Sequence, residues 1–259
     1  MATLHQIKSY LNHWLLEENE HSLHAPFIYD FYKKVVKARS TKSAYLPIEK
    51  VRSGFLQSDK ALSVVDYGSG SANGSNRKQV KRIASFGISR KKYGELLDKI
   101  ADYIEAEEIV ELGTSLGITT LYLSCEPHRR VITMEGDPSL CAISQAVFDG
   151  HKRENIKLIE GNIDHTLAEI LTQYSSVDLV FFDANHTYQA TIDYFETMIR
   201  HKHDGTCFVF DDIHRDTDME RAWKEITEHF EVTLSIDLFQ VGIIFFNPEI
   251  RKQHYILNY

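Results

Sequence analysis

Leu4, Ile7, Leu11, Trp14 and Leu15 recur at three- and four-residue spacing, which predicts a helix over residues 4–18. Ala25-Pro26 interrupts that pattern. Pro26 is placed to open a second helix over residues 27–38, since a proline in the first turn gives up no helical hydrogen bond. Residues 39–63 show no period, are mostly polar and carry Pro47, so they read as irregular. Val64 to Gly74 is rich in glycine and serine and runs into the basic residues Arg77, Lys78, Lys81 and Arg82, with no strand expected after it. Beyond a break near Gly87, residues 90–105 are again helical in pattern. No repeat or low-complexity linker is present.

From Glu107 onward short apolar runs alternate with helix-length segments. The expected strands are 108–112, 130–135, 156–160, 177–183 and 206–211, each β-branched or aromatic. Such alternation predicts a parallel sheet with right-handed crossovers. The end of the chain differs. Residues 232–238 and 241–246 are separated only by Phe239-Gln240, a link that permits only an antiparallel hairpin. The expected fold is therefore α/β and Rossmann-like: a mostly parallel sheet, a terminal antiparallel hairpin and an N-terminal helical extension.

With 259 residues, 43% of them hydrophobic, the chain can bury a sizeable core and is not expected to be disordered. A net charge of −8 argues against a general nucleic-acid binder. Cys125, Cys141 and Cys207 are far apart and lack metal-ligand spacing; reduced, buried thiols and a cytoplasmic setting are expected. The first residues have no basic-then-apolar leader pattern, and no apolar run is long enough to span a bilayer, so no membrane partner is expected.

Two stretches run from apolar residues through an acid into glycines: Val64–Gly74 and Ile109–Thr120. Only the second is followed by a helical pattern and then a strand, Val131-Ile-Thr-Met, ending in an acid, Glu135. An acid at that place grips ribose hydroxyls in βαβ nucleotide folds, and the helix N-terminus beside the glycines suits an anionic group. Residues 111–119 are therefore the expected cofactor turn. Its G-x-x-x-G spacing makes less provision for a pyrophosphate than G-x-G-x-x-G does.

Glu111-Leu-Gly-Thr-Ser-Leu-Gly-Ile-Thr resembles motif I of class I S-adenosylmethionine-dependent methyltransferases, in the form of the catechol O-methyltransferase-like group. Thr133-Met-Glu-Gly-Asp-Pro, Glu160-Gly-Asn-Ile, Val177-Asp-Leu-Val-Phe-Phe-Asp-Ala-Asn-His and Phe208-Val-Phe-Asp-Asp-Ile are similar to the same group's later strand-end motifs, in order, over roughly residues 95–259. The resemblance implies a methyltransferase sheet and S-adenosylmethionine as methyl donor. It places Gly113, Gly117 and Thr119 at the donor's methionine end, Glu135 at the ribose and Gly161, Asn162 and Ile163 at the adenine, with Glu111, Ser115, Gly136 and Asp183 also among the donor-binding residues. It implies a division into residues 1–95, a helical or lid region shaping the acceptor site, and residues 96–259, the donor-binding domain.

Asp183 ends one expected strand and Asp211 and Asp212 end the next, so three carboxylates reach one crevice. Hard oxygen ligands of this kind suit Mg²⁺, Mn²⁺ or Ca²⁺; helix capping or local ion pairing is the plainer use. The metal-dependent members of the group carry an Asp-Asn pair where this chain has Asp211-Asp212, which keeps an oxygen ligand and adds charge. His186 matches the group's catalytic lysine in place, and a neutral imidazole accepts a proton at pH 7; an ordinary loop histidine is the alternative, and His214 is a second candidate. Together these features imply a divalent-metal-assisted O-methyltransferase of a small-molecule hydroxyl, with Asp183 and His186 as the catalytic pair. The alternatives are a metal-independent N- or O-methyltransferase and a catalytically silent cofactor-binding module. A homodimer is left open. Val64–Gly74 reads as a lid, and its basic run as a contact for an anionic acceptor or as a plain solvated helix face.

Overall fold

Thr3 begins the first helix with a reciprocal cap: its side chain accepts the Gln6 amide, and the Gln6 side chain accepts the Thr3 amide. The computed structural model describes residues 3–39, 42–64, 76–87 and 90–259. Along the chain these form α1 (Leu4–Leu16), α2 (Pro26–Phe31) continuing into a π-helical turn (Tyr32–Val36), α3 (Tyr45–Leu56), β1 (Ala61–Val64), β2 (Asn76–Gln79), α4 (Val80–Gly87) and α5 (Lys91–Tyr103). There follow β3 (Glu108–Leu112), α6 (Ile118–Leu123), β4 (Arg130–Glu135), α7 (Pro138–Gly150), β5 (Ile156–Glu160) and α8 (Ile163–Leu171). The last part holds β6 (Leu179–Phe182), α9 (Tyr188–Met198), β7 (Cys207–Asp211), α10 (Thr217–Glu228), β8 (Leu234–Asp237), β9 (Val241–Phe245) and β10 (Gln253–Ile256). The chain divides into two compact units, Arg39–Tyr174, and Met1–Ala38 with Ser175–Tyr259.

In the unit Arg39–Tyr174, β3, β4 and β5 run parallel in that order, with Leu112 opposite Met134 and Glu135 opposite Glu160. The helices that follow β4 and β5 start at side-chain caps, Asp137 for α7 and Asn162 for α8, where a carboxylate or amide oxygen satisfies amides the helix cannot. Asp98 and Arg129 are both fully buried and joined at 2.6 Å, and Tyr45 donates to the same carboxylate. This burial of an ion pair is tolerated because each partner is hydrogen-bonded.

Two expectations are corrected in this unit. Residues 39–63 are not irregular: α3 and β1 occupy most of them. Pro47 stands in the first turn of α3, where its missing amide costs nothing. A strand does follow the glycine-rich stretch, since β2 pairs antiparallel with β1, Val64 opposite Asn76. The basic run straddles β2 and α4, and Lys81 is spent on an ion pair with Asp59. Leu62, Val64, Val80 and Ala84 pack against Leu116 and Leu140, so this hairpin is anchored beside the glycine turn after β3. The lid expected at Val64–Gly74 lies, but for Val64, outside the described residues.

In the unit formed by the chain's first and last parts the strand order is β10-β8-β9-β7-β6. β6 and β7 are parallel, and β9 is antiparallel to both β7 and β8, as the short Phe239-Gln240 link requires. Every residue of β6, β8 and β9 is buried, the mark of strands covered on both faces. β10, too polar to stand out in the sequence, adds a parallel edge to β8. The three cysteines are free and buried. Among the described residues no helix is long and apolar enough to cross a membrane.

Candidate active site

At the carboxyl end of β3 the chain turns through residues 113–117 into α6. The amides of Gly113 and Thr114 both donate to the Met134 carbonyl, at 3.1 and 3.0 Å, which ties the turn to the end of β4. Gly117 closes it at φ 76°, in the left-handed region that suits glycine, and a Cβ there would stand 2.7 Å from the Phe148 ring. Glu111, inside β3, is fully buried, and its carboxylate accepts from Thr133 Oγ1 at 2.6 Å and from Thr120 Oγ1. This acid therefore holds the frame of the turn from beneath. Thr119, also buried, stands in the first turn of the helix beside it.

Glu135 ends β4. Its Oε2 accepts the Ser115 amide at 2.8 Å and its Oε1 the Asp137 amide at 2.9 Å. Burial pushes this carboxyl up, and the amides of Asp137 and Ser115 pull it back toward the ionised form. One strand over, the Gly161 amide donates to the Glu135 carbonyl at 2.9 Å, and Gly161 at φ 149° presses so close to Thr166 that a Cβ would lie 2.6 Å from its methyl group. Asn162 caps α8 through the Asp164 amide at 3.0 Å, Ile163 starts that helix, and Gly136 links Glu135 to the cap of α7. The ten donor-site residues read from the sequence in this unit thus gather at the carboxyl ends of three neighbouring parallel strands, where α/β folds bind nucleotides.

In the other unit Phe182 stands opposite Phe210, so Asp183 and Asp211 emerge in step from β6 and β7. Past Asp183 the backbone passes through two successive left-handed residues, Asn185 at φ 64° and His186 at φ 35°, and His186 Nε2 comes to 3.3 Å from Asp183 Oδ1. Asp212 is left-handed as well, at φ 55°. Non-glycine residues in this conformation carry strain and concentrate at functional sites. Burial pushes the Asp211 carboxyl well above the usual range, and the charges of Asp183 and Asp212 add to it; His186 and Gln240 act in the opposite sense.

Gln240 went unnoticed as a site residue in the sequence. Its amide donates to Asp211 Oδ1 at 3.3 Å and to Asp212 Oδ1. The signal that finds it is the hairpin itself. A strand antiparallel to β7 starts where β7 ends, with Val241 opposite Asp211, and this puts residue 240 beside the acid pair. His214 turns away from this group, toward Glu220 at 2.9 Å and Asp237 at 2.7 Å.

Three carboxylates, one of them raised by the charges of the other two, match the donor chemistry of a hard divalent cation. As they are placed, Gln240 already donates hydrogen bonds to two of them, and among the described residues no group of three or more His, Cys, Asp or Glu side chains is arranged to hold a metal ion.

Residues 110–213 match the family model described as a methyltransferase domain. A catechol O-methyltransferase from Niastella koreensis is 28% identical over 127 residues, 48% of this chain and 57% of the relative; the chain thus spans little more than half the length of that relative. Among solved structures, the methyltransferase PaMTH1 of Podospora anserina with S-adenosylhomocysteine bound superposes at a TM-score of 0.61, with 16% identity, over 89% of this chain and 97% of its own. An O-methyltransferase of Bacillus cereus in complex with S-adenosylhomocysteine gives 0.56 at 15% identity over 85% and 97%. The resemblance to class I methyltransferases read from the motifs therefore holds, and so does the mostly parallel Rossmann-like fold.

Proposed function

We propose that this chain transfers a methyl group from S-adenosylmethionine to a small-molecule hydroxyl. The observation that carries the reading is the Glu135 carboxylate held on the Ser115 amide of the glycine turn. This is the acid a ribose needs, fixed at the end of the second strand of a βαβ unit. The glycine turn would take the methionine end of the donor and Gly161–Ile163 its adenine. The S-adenosylhomocysteine bound in the Podospora and Bacillus structures supports the choice of donor.

The acceptor chemistry falls to Asp183 and His186. The sulfonium methyl is already activated, so the protein's task is to present a deprotonated oxygen in line with it. With Nε2 of His186 directed at Asp183 Oδ1, Nδ1 is the atom that would take the hydroxyl proton, and the carboxylate would stabilise the imidazolium that results. A divalent ion on Asp183, Asp211 and Asp212 is the finer part of the proposal; when bound it would lower the pKa of a coordinated hydroxyl. The Gln240 contacts favour a second reading in which transfer runs without metal and His186 is the sole base.

Titration calorimetry with S-adenosylmethionine tests the donor. Turnover of a panel of catechols and other hydroxyl acceptors, with Mg²⁺ and with excess chelator, tests the reaction and separates the two readings. No heat with S-adenosylmethionine would remove the proposal.

A further inference from the structure

Helix α1 is docked inside out. Its buried side chains are Ser9 and His13, while Leu4, Ile7, Leu11, Trp14 and Leu15 are exposed, from 49% for Ile7 to 85% for Leu4. The two sets lie on opposite sides of the helix, since His5, Ser9 and His13 follow at four-residue steps and the apolar set at three- and four-residue steps. A surface helix ordinarily turns its apolar stripe inward.

The inversion has a physical cause within the unit. Ser9 Oγ donates to Glu220 Oε1 at 2.6 Å, and His5 Nε2 lies 3.5 Å from Glu220 Oε2. His13 Nε2 lies 3.3 Å from Asp237 Oδ1, with both side chains almost wholly buried. His214 stands between the same two acids. The polar side of α1 is thus consumed by α10 and the end of β8, and the apolar side is left facing outward.

We propose that this outward face of α1 is the contact between two copies of the chain. Each large apolar side chain removes on the order of 100 Å² from water when covered, so five give roughly 500 Å² before backbone and flanking polar residues are counted. That is at the upper end of the roughly 300–600 Å² of the largest apolar patch on a typical monomer, a patch that is often functional, and it approaches the roughly 800 Å² per partner of a stable interface. A helix stripe is readily self-complementary across a two-fold axis. A bilayer fits less well. Helices that lie on membranes carry lysine and arginine along their polar side, whereas α1 has Lys8 alone, its polar side is already engaged, and the chain's net charge is −8.

Sedimentation of the chain across the micromolar range tests this. The expected result is a dimer whose dissociation constant rises by about 30-fold or more in Leu11→Asp with Trp14→Asp, the loss expected when central anchors are removed. Circular dichroism should stay unchanged, because both side chains are exposed, and the melting midpoint should fall only by the stabilisation that dimerisation itself adds. Phe230→Asp, a change at a still more exposed residue elsewhere, should leave the dimer intact. A monomer at every concentration, a dimer indifferent to the double variant, or a monomer that floats with phosphatidylcholine vesicles would each overturn the proposal.

Discussion

The Glu135 carboxylate accepts the Ser115 amide at 2.8 Å, joining the end of β4 to a turn twenty residues earlier in the chain. With its other oxygen on the Asp137 amide, the acid is fixed before any ligand arrives. Such preorganisation reduces the ordering cost of binding. Glu135→Ala should weaken S-adenosylmethionine binding by about 1.5–3 kcal/mol, the range for hydrogen bonds to a charged group, with the fold retained. Glu135→Gln, which keeps one acceptor oxygen, should lose less. Calorimetry on both variants decides it, and equal affinity in wild type and Glu135→Ala would remove the ribose assignment.

His186 is held in a left-handed conformation with its imidazole against Asp183. If it takes the acceptor's proton, His186→Ala should lower turnover by about 10²–10⁴, the usual contribution of a general base, and leave donor affinity within experimental error. His186→Gln preserves size and polarity and should be equally slow. Parallel loss of donor binding and turnover would mean that the residue serves the loop and not the reaction.

The strands from β3 onward were legible because each is a short, buried, β-branched or aromatic run between helical patterns. The strand-end residues followed, since in a parallel sheet every carboxyl end reaches the same edge. What escaped notice depends on partners distant in sequence. β2 is a run of polar residues, Asn76–Gln79, that becomes a strand by pairing with β1. Pro47 looked like a breaker because its position within a helix turn is invisible until the helix start is known. The amphipathic pattern of α1 shows the element but not which side it buries, since only the fold brings Glu220 and Asp237 to the histidines. Gln240 is one of many glutamines until the register of β9 on β7 sets it beside Asp211.

Gln240 also makes metal dependence a sharp question. Its amide donates hydrogen bonds to Asp211 and Asp212, and without it Asp211, whose ionisation burial already disfavours, would face the charges of Asp183 and Asp212 uncompensated. In Gln240→Leu that compensation is gone. If a divalent ion belongs here, the variant should bind Mg²⁺ at least as tightly as wild type by calorimetry, and turnover should vanish in chelator and return with Mg²⁺ in both proteins. If transfer is metal-free, wild type keeps full turnover in excess chelator, and Gln240→Leu loses thermal stability near neutral pH that Asp211→Asn in the same background restores.

The clasp under α1 should make stability depend on pH in a defined direction. Both ring nitrogens of His214 face carboxylate oxygens, Nδ1 toward Glu220 at 2.9 Å and Nε2 toward Asp237 at 2.7 Å, and carboxylates only accept, so the ring is held as the cation. Burial alone would lower its pKa; the hydrogen bonds and charges of Asp237 and Glu220 outweigh burial and raise it. Burial would raise Asp237, and the bonds from His13 and His214 pull it below the usual carboxylate range instead. A raised histidine stabilises the fold fully below its unfolded pKa of roughly 6.5, and that contribution is lost as pH climbs through the folded value. A depressed aspartate stabilises above roughly 3.9, and that contribution is lost as pH falls toward the folded value. The clasp is therefore strongest between about pH 4 and 6.5. His254, lowered by burial, acts oppositely on the acid side, as the folded state refuses its proton. The readout is accordingly a difference: the melting midpoint of wild type minus that of His214→Gln, followed from acid to alkaline pH. His5, His13, Glu220 and Lys224 stay common to both proteins and largely cancel. The difference should be largest near pH 5–6 and shrink steadily above about pH 7. A difference that is flat from mildly acid to alkaline pH would show that His214 carries no proton linked to folding.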